Sequence, residues 1–101
     1  MALDGEQQAR SIAIAARSPR IRAGEPEANL DAARAAIADA VESGARLIVL
    51  PELLTSGYAL ASQDEARALA LGADDPRLAS LAADLPSEAV LVVGFAEPTE
   101  T

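Results

Sequence analysis

The chain of 101 residues contains no cysteine, no histidine and no lysine. Without cysteine, it has no disulfide framework, no thiolate nucleophile and no cysteine-ligated metal. Without histidine, a Ser-His-Asp triad and the common zinc sites are excluded within the chain. It also carries no G-x-G-x-x-G motif and no P-loop. We therefore expect neither a metal nor a cofactor to bind here.

Large side chains and basic residues are also scarce. The chain has one Phe, one Tyr and no Trp, so its core has few large anchors and should be only marginally stable alone. Its net charge is −8, with 8 basic and 16 acidic residues. Nucleic acids and anionic membranes attract basic clusters, so this acidity argues against both as partners.

No apolar run approaches the length of a membrane span, and residues 1–10 are polar, unlike a signal peptide. We predict that residues 1–10 form a disordered leader, and that the protein is cytoplasmic. Residues 11–96 are predicted to form one α/β domain, and 97–101 a polar tail.

The first half of this domain has the pattern of a βαβ unit. Alternating apolar residues predict a strand over 11–16, and an unbroken apolar run predicts another over 46–50. Between them, Pro26 suits a helix start and Gly44 a helix stop. The helix over 26–43 has one apolar stripe, formed by Leu30, Ala33, Ile37, Ala40 and Val41. Two strands joined by such a helix should pair in parallel.

The second half adds two helices and a strand. Ser62 to Glu65 reads as a capping box that opens a short helix through Leu71. Asp75 followed by Pro76 opens another, whose buried stripe reaches Leu85. A third buried strand is predicted over 89–95.

Residues 47–58 hold the strongest candidate for a functional site. The short apolar run Leu47 to Leu50 is typical of a parallel strand covered on both faces, and Pro51 should end its hydrogen-bond ladder. Glu52 then stands at the carboxyl end of the strand, where open α/β sheets bind ligands. On the pattern alone, a solvent-exposed carboxylate is the simpler interpretation of Glu52. A ring packed on the turn at Gly57 is likewise the simpler one for Tyr58.

Three other groups of polar residues have simple structural interpretations. The arginines of the loop after the first strand read as solvated charge rather than an anion site; they are Arg17, Arg20 and Arg22. Asn29, on the first helical turn, reads as a local hydrogen-bonding residue rather than a ligand. Asp74 and Asp75 read as helix-capping residues rather than paired catalytic acids.

The stretch Leu50-Pro51-Glu52, preceded by Gly44-Ala45-Arg46-Leu47-Ile48-Val49 and followed by Gly57-Tyr58, resembles the first catalytic motif of the nitrilase superfamily of carbon-nitrogen hydrolases. The strand that leads to Ser18-Pro19, the helix opening at 27–30 and the strand at 90–94 follow in the order of that family. The resemblance runs from residue 11 onward, and it covers only the amino-terminal part of such an enzyme.

This resemblance implies the amino-terminal βαβ-ααβ part of a four-layer α-β-β-α sandwich, a fold that commonly forms oligomers. It implies that Glu52 is the general base of a Glu-Lys-Cys triad. Tyr58, six residues later, is a candidate substrate-binding residue that lines the same crevice. The chain contains neither the lysine nor the cysteine, so we expect it to be inactive alone.

Two functions from different classes remain open. In the first, the chain is the amino-terminal part of a hydrolase of small-molecule amides or nitriles, and works as a homo-oligomer or with a complementing chain. In the second, it is a non-catalytic interaction module, or a subunit whose site a second chain completes. Three strands alone would leave sheet edges and an apolar face uncovered, so we expect self-association or partial unfolding in isolation.

Overall fold

The computed structural model describes residues 11–52, 54–57 and 62–98. Its elements, in chain order, are β1 (Ile14–Ala16), α1 (Pro26–Glu42), β2 (Leu47–Val49), α2 (Gln63–Leu69), α3 (Pro76–Leu81) and β3 (Val90–Val92). This order is the βαβ-ααβ order predicted from the sequence, although every strand is shorter than expected. Residues 1–10 and 99–101 lie outside the described residues, so the predicted leader and the domain limits stay predictions.

The three strands form one parallel sheet in the order β1-β2-β3. Ile48, at the centre of β2, is in register with Ala15 of β1 and Leu91 of β3. The predicted parallel pairing of the first two strands is therefore confirmed. β2 is the central strand, so both of its edges are hydrogen-bonded.

Helix α1 covers one face of this sheet. Its buried residues recur every three or four positions, as the predicted stripe required; they are Asn29, Leu30, Ala33, Ile37 and Ala40. The apolar members form one cluster with Ala15, Ile48 and Leu81. Two of the buried helix residues, Ala33 and Ala40, have small side chains, as the composition of the chain leads one to expect.

The end of α1 is set by Gly44, as predicted. Gly44 has a φ of +92°, a left-handed conformation that residues with a Cβ rarely adopt. Its amide donates to Val41 O at 2.9 Å, and the Ala45 amide donates to Ala40 O at 3.1 Å. These two bonds make a Schellman cap, which turns the chain directly into β2.

The opposite face of the sheet is apolar and open. Ala15, Ile48 and Leu91 form the row of side chains that faces α1. Successive side chains of a strand point to opposite faces, so the residues before and after this row all point away from α1. These six residues are Ile14, Leu47, Val90, Ala16, Val49 and Val92. Ile14 is 63% exposed and Val90 55% exposed. Among the described residues only α1 covers β2, so coverage on both faces, which the apolar run indicated, is wrong here, whereas the uncovered apolar face expected of three strands alone is confirmed.

The two short helices begin at the predicted caps. Ser62 Oγ accepts a hydrogen bond from the Glu65 amide at 3.1 Å, and Asp75 Oδ1 accepts one from the Arg77 amide at 2.8 Å. The capping interpretation of Asp75 is thus confirmed. Helix α3 ends at Leu81 rather than Leu85. No helix within the described ranges is long and apolar enough to cross a membrane.

Candidate functional site

Glu52 lies at the carboxyl edge of the sheet, as the sequence predicts. The Leu50 amide donates to Val92 O at 2.9 Å, just beyond the last residue of β2. Pro51 has no N–H to continue this ladder, and the chain turns at Glu52. The carboxylate is exposed to solvent beyond the central strand. This is the edge at which parallel sheets bind ligands.

Glycine at position 94 lets the backbone of Glu52 approach β3. A Cβ added to Gly94 would lie 2.8 Å from Glu52 Cα and 3.0 Å from Glu52 Cβ. Gly94 O also accepts a hydrogen bond from the Leu54 amide at 3.0 Å. The sequence predicts that Gly94 lies inside a strand, but it does not indicate a function for this residue. A glycine in an otherwise apolar run often marks a place where another part of the backbone comes close, and this was the available sign of the contact with Glu52.

Asn29 reaches the chain that follows Glu52. Its side chain is fully buried, and its Oδ1 accepts from the Arg22 amide at 2.7 Å. Its Nδ2 donates to Arg22 O at 2.8 Å and to Thr55 O at 2.9 Å. Asn29 is a hydrogen-bonding residue, as predicted, but its nearest partner in the chain, Arg22, lies seven positions away rather than within the first turn. The bond to Thr55, 26 residues away, could not be read from the sequence.

The loop between β1 and α1 packs against the same segment. The Gly24 amide donates to Ser56 O at 2.9 Å. Gly57 has a φ of +78°, and a Cβ there would lie 2.7 Å from Ala23 Cα. Gly57 therefore turns the chain, as predicted, and also allows two loops to touch. Tyr58, the predicted substrate-binding residue, lies outside the described residues.

No other described residue forms a hydrogen bond or salt bridge with the Glu52 carboxylate. Two of the nearby loop arginines are paired elsewhere: Arg17 with Asp39 at 3.4 Å and Arg22 with Glu25 at 3.9 Å. These are exposed ion pairs, which agrees with the interpretation of solvated loop charge. An exposed carboxylate with no paired cation is able to accept a proton or a hydrogen bond from an incoming group.

Two surface grooves occur elsewhere on the described part of the molecule. One, of about 300 Å³, lies between α1 and α3, and the other, of about 390 Å³, lies beside α2. Neither is lined by Glu52. Among the described residues, no three His, Cys, Asp or Glu side chains are grouped as a metal site would require.

One comparison with known proteins identifies the family of the chain. A family model described as carbon-nitrogen hydrolase matches residues 13–99, a range that includes all six elements and Glu52. The comparison with curated proteins gave no match. The family match spans most of the 101 residues and confirms the resemblance seen in the sequence. The chain therefore belongs to the carbon-nitrogen hydrolase family.

Proposed function

We propose that this chain supplies the general base of a carbon-nitrogen hydrolase, and that Glu52 is this base. The observation that carries the proposal is the position of Glu52: an exposed carboxylate that no described residue pairs with, immediately beyond the central strand of a parallel sheet. It lies within the range that matches the family. Tyr58, six residues later in the chain, is proposed to line the substrate site.

The proposed chemistry uses Glu52 to take a proton from a cysteine thiol. The thiolate attacks the carbon of an amide or nitrile, and a lysine ammonium stabilises the negative charge that develops on the attacked group. For an amide, the protonated Glu52 gives its proton to the nitrogen, the amine leaves and a thioester forms, which water then hydrolyses to the acid and the free thiol. A thiol is only a few per cent thiolate near neutral pH, so the adjacent base supplies the nucleophile when it is needed.

The chain has no Cys and no Lys, so it should be inactive by itself. We propose that both groups come from polypeptide outside these 101 residues, in the same protein or in a second chain. The open apolar face of the sheet supports this, because six side chains in two adjacent rows would gain from being covered. A second sheet on this face, with a helix layer of its own outside it, would complete the four-layer sandwich.

A non-catalytic interaction module is the second candidate. The same open face favours it, since a partner without any catalytic residue could cover the apolar rows equally well. The two candidates differ in what the covering polypeptide carries. A hydrolase requires that it bring a cysteine and a lysine to the side of Glu52.

The proposal is tested by capturing the protein from its native source and measuring intact masses. A mass above 10.3 kDa, or a co-purified chain, identifies the covering polypeptide. The captured protein is then assayed for ammonia or amine release from a panel of amides and nitriles. We compare Glu52→Gln with Glu42→Gln, the same chemical change at an exposed residue at the end of α1, near the opposite edge of the sheet.

We expect Glu52→Gln to lower kcat/KM by about 10²–10⁴-fold, the usual contribution of a general base, and Glu42→Gln to leave it unchanged. Activity that survives Glu52→Gln would show that Glu52 is not the base. A captured assembly that contains no cysteine would favour the interaction module instead.

A further inference from the structure

We propose that Asn29 is a positioning residue that holds the chain around Glu52 in place. The part that it holds comprises Glu52 and residues 54–57, which we call the Glu52 segment. This inference rests on the proposed role of Glu52 as the base. It assigns a function to a buried amide that is distant from Glu52 in sequence and does not touch the reacting groups.

The hydrogen bonds of Asn29 fix the orientation of its side-chain amide and join the backbone of Arg22 to the backbone of Thr55. Oδ1 accepts from the Arg22 N–H, while Nδ2 donates to two carbonyl oxygens, those of Arg22 and Thr55. The reversed amide would place an N–H donor against the Arg22 N–H, so only one orientation satisfies all three bonds. The side chain is fully buried, so these bonds are shielded from bulk solvent.

Two main-chain hydrogen bonds hold the Glu52 segment from other sides. They join the Leu54 amide to Gly94 O and the Gly24 amide to Ser56 O. The segment is therefore attached to the end of β3, to the β1–α1 loop and to the first turn of α1. Among these three attachments, only the one from Asn29 is made by a side chain. A substitution can therefore remove it while leaving the main chain intact.

A positioning role differs from a general contribution to stability. Loss of a core contact lowers the global stability and raises the exchange of all globally protected amides by a similar factor. Loss of a local attachment opens the attached segment first, while the sheet stays closed. Asn29 is on the first turn of α1, beside the loops, whereas Ile37 of the same helix belongs to the hydrophobic core.

The test compares Asn29→Ser with Ile37→Val in the full 101-residue chain. Serine is too short to reach Thr55 O while it also bonds Arg22. Ile37→Val removes one buried methylene and no hydrogen bond. Amide hydrogen exchange and ¹⁵N relaxation are measured by NMR for both variants and for the wild type, in dilute solution to limit self-association.

We expect Asn29→Ser to accelerate exchange of the Gly24 and Leu54 amides at least tenfold relative to the Leu50 amide, which belongs to the sheet ladder. The backbone order parameter of Glu52 should fall from about 0.85, typical of rigid backbone, to below about 0.6. In Ile37→Val, the exchange rates of all three amides should rise by a common factor, and the Glu52 backbone should stay rigid. The proposal would be overturned if Asn29→Ser also raised the three exchange rates by a common factor, or if the Glu52 backbone were already mobile in the wild type.

A measurement on the wild type alone covers the case in which Asn29→Ser does not fold. The side-chain Nδ2 protons of Asn29 should exchange through the same local opening as the Gly24 and Leu54 amides, with the same dependence on low urea concentrations. Independent exchange of the Nδ2 protons would contradict the proposed attachment.

These readouts involve no chemistry, so they stand apart from the test of Glu52. In the captured active assembly, Asn29→Ser should lower kcat more than it raises KM, because it misplaces the base without removing a substrate contact. Activity that is insensitive to Glu52→Gln would defeat the proposed base while leaving the exchange results intact. Activity that is sensitive to Glu52→Gln but unchanged by Asn29→Ser would defeat the positioning role alone.

Discussion

Replacing Gly94 with alanine should force Glu52 and β3 apart. The added Cβ would lie 2.8 Å from Glu52 Cα, and a backbone atom cannot move aside as a flexible side chain can. Inserting a methyl group into such a contact usually costs about 1–3 kcal/mol. Alanine also restricts the unfolded chain, which returns about 0.4–1 kcal/mol where the backbone conformation suits it.

The clash is with a backbone atom, which places its cost in the upper half of that range, about 2–3 kcal/mol. The expected net loss for Gly94→Ala is therefore about 1–2.6 kcal/mol in the free energy of unfolding. For a chain of this size, that corresponds to a fall in Tm of roughly 4–20 °C. Far-UV circular dichroism during thermal and urea unfolding measures both quantities. In the captured active assembly, the same variant should also lose activity, because the residue that moves is the proposed base.

Gly72→Ala is the matched control. It makes the same chemical change at another glycine with an ordinary φ, but the added Cβ would meet Asp74 Oδ1 at 2.9 Å. This is the tip of an exposed side chain, and it can rotate away at little cost. We expect Gly72→Ala to be neutral or slightly stabilising. If Gly94→Ala were as stable as Gly72→Ala, the close packing of Glu52 on β3 would be refuted.

Two further predictions concern the open face and the helix caps. Replacing both Ile14 and Val90 with threonine should reduce self-association in sedimentation experiments without unfolding the chain. Ile48→Thr, on the buried face, should instead unfold the chain. Equal effects of the two changes would contradict the assignment of faces. The hydrogen bonds from the Arg77 side chain and amide lower the pKa of the Asp75 carboxyl. The ionised carboxylate therefore stabilises the folded chain fully at a pH above the ordinary pKa of aspartate, and this stabilisation is lost as the pH falls through the lowered pKa. Below about pH 4, the urea midpoint of the wild type should therefore fall more steeply than that of Asp75→Asn, and parallel curves would contradict this.

The elements could be predicted from the sequence because their signals are local. Gly44 ends α1 because of its own backbone freedom, and Asp75 caps α3 with an atom two residues from the amide it binds. Pro51 stops the β2 ladder through its missing N–H. Each of these effects acts within a few residues, so the sequence carries it directly. The same locality placed Glu52 at the carboxyl end of a strand.

The attachments around Glu52 could not be predicted, because they join distant parts of the chain. Gly94 lies 42 positions after Glu52, and Thr55 lies 26 positions after Asn29. Nothing in the sequence near Glu52 shows that a glycine must face it. The coverage of β2 was also misjudged, because an apolar run shows that a strand suits burial but not which layer buries it.

The sequence by itself determined the order of the elements, the helix starts, the end of α1 and the strand-end position of Glu52, since capping, proline chemistry and apolar periodicity are properties of neighbouring residues. Only the tertiary structure decided which sheet face α1 covers and which groups hold the Glu52 segment. Those features depend on strand register and on contacts between residues far apart in the chain. The physical reason is that the alternation of side chains along a strand fixes which residues share a face, whereas the packing of separate elements decides which element covers each face.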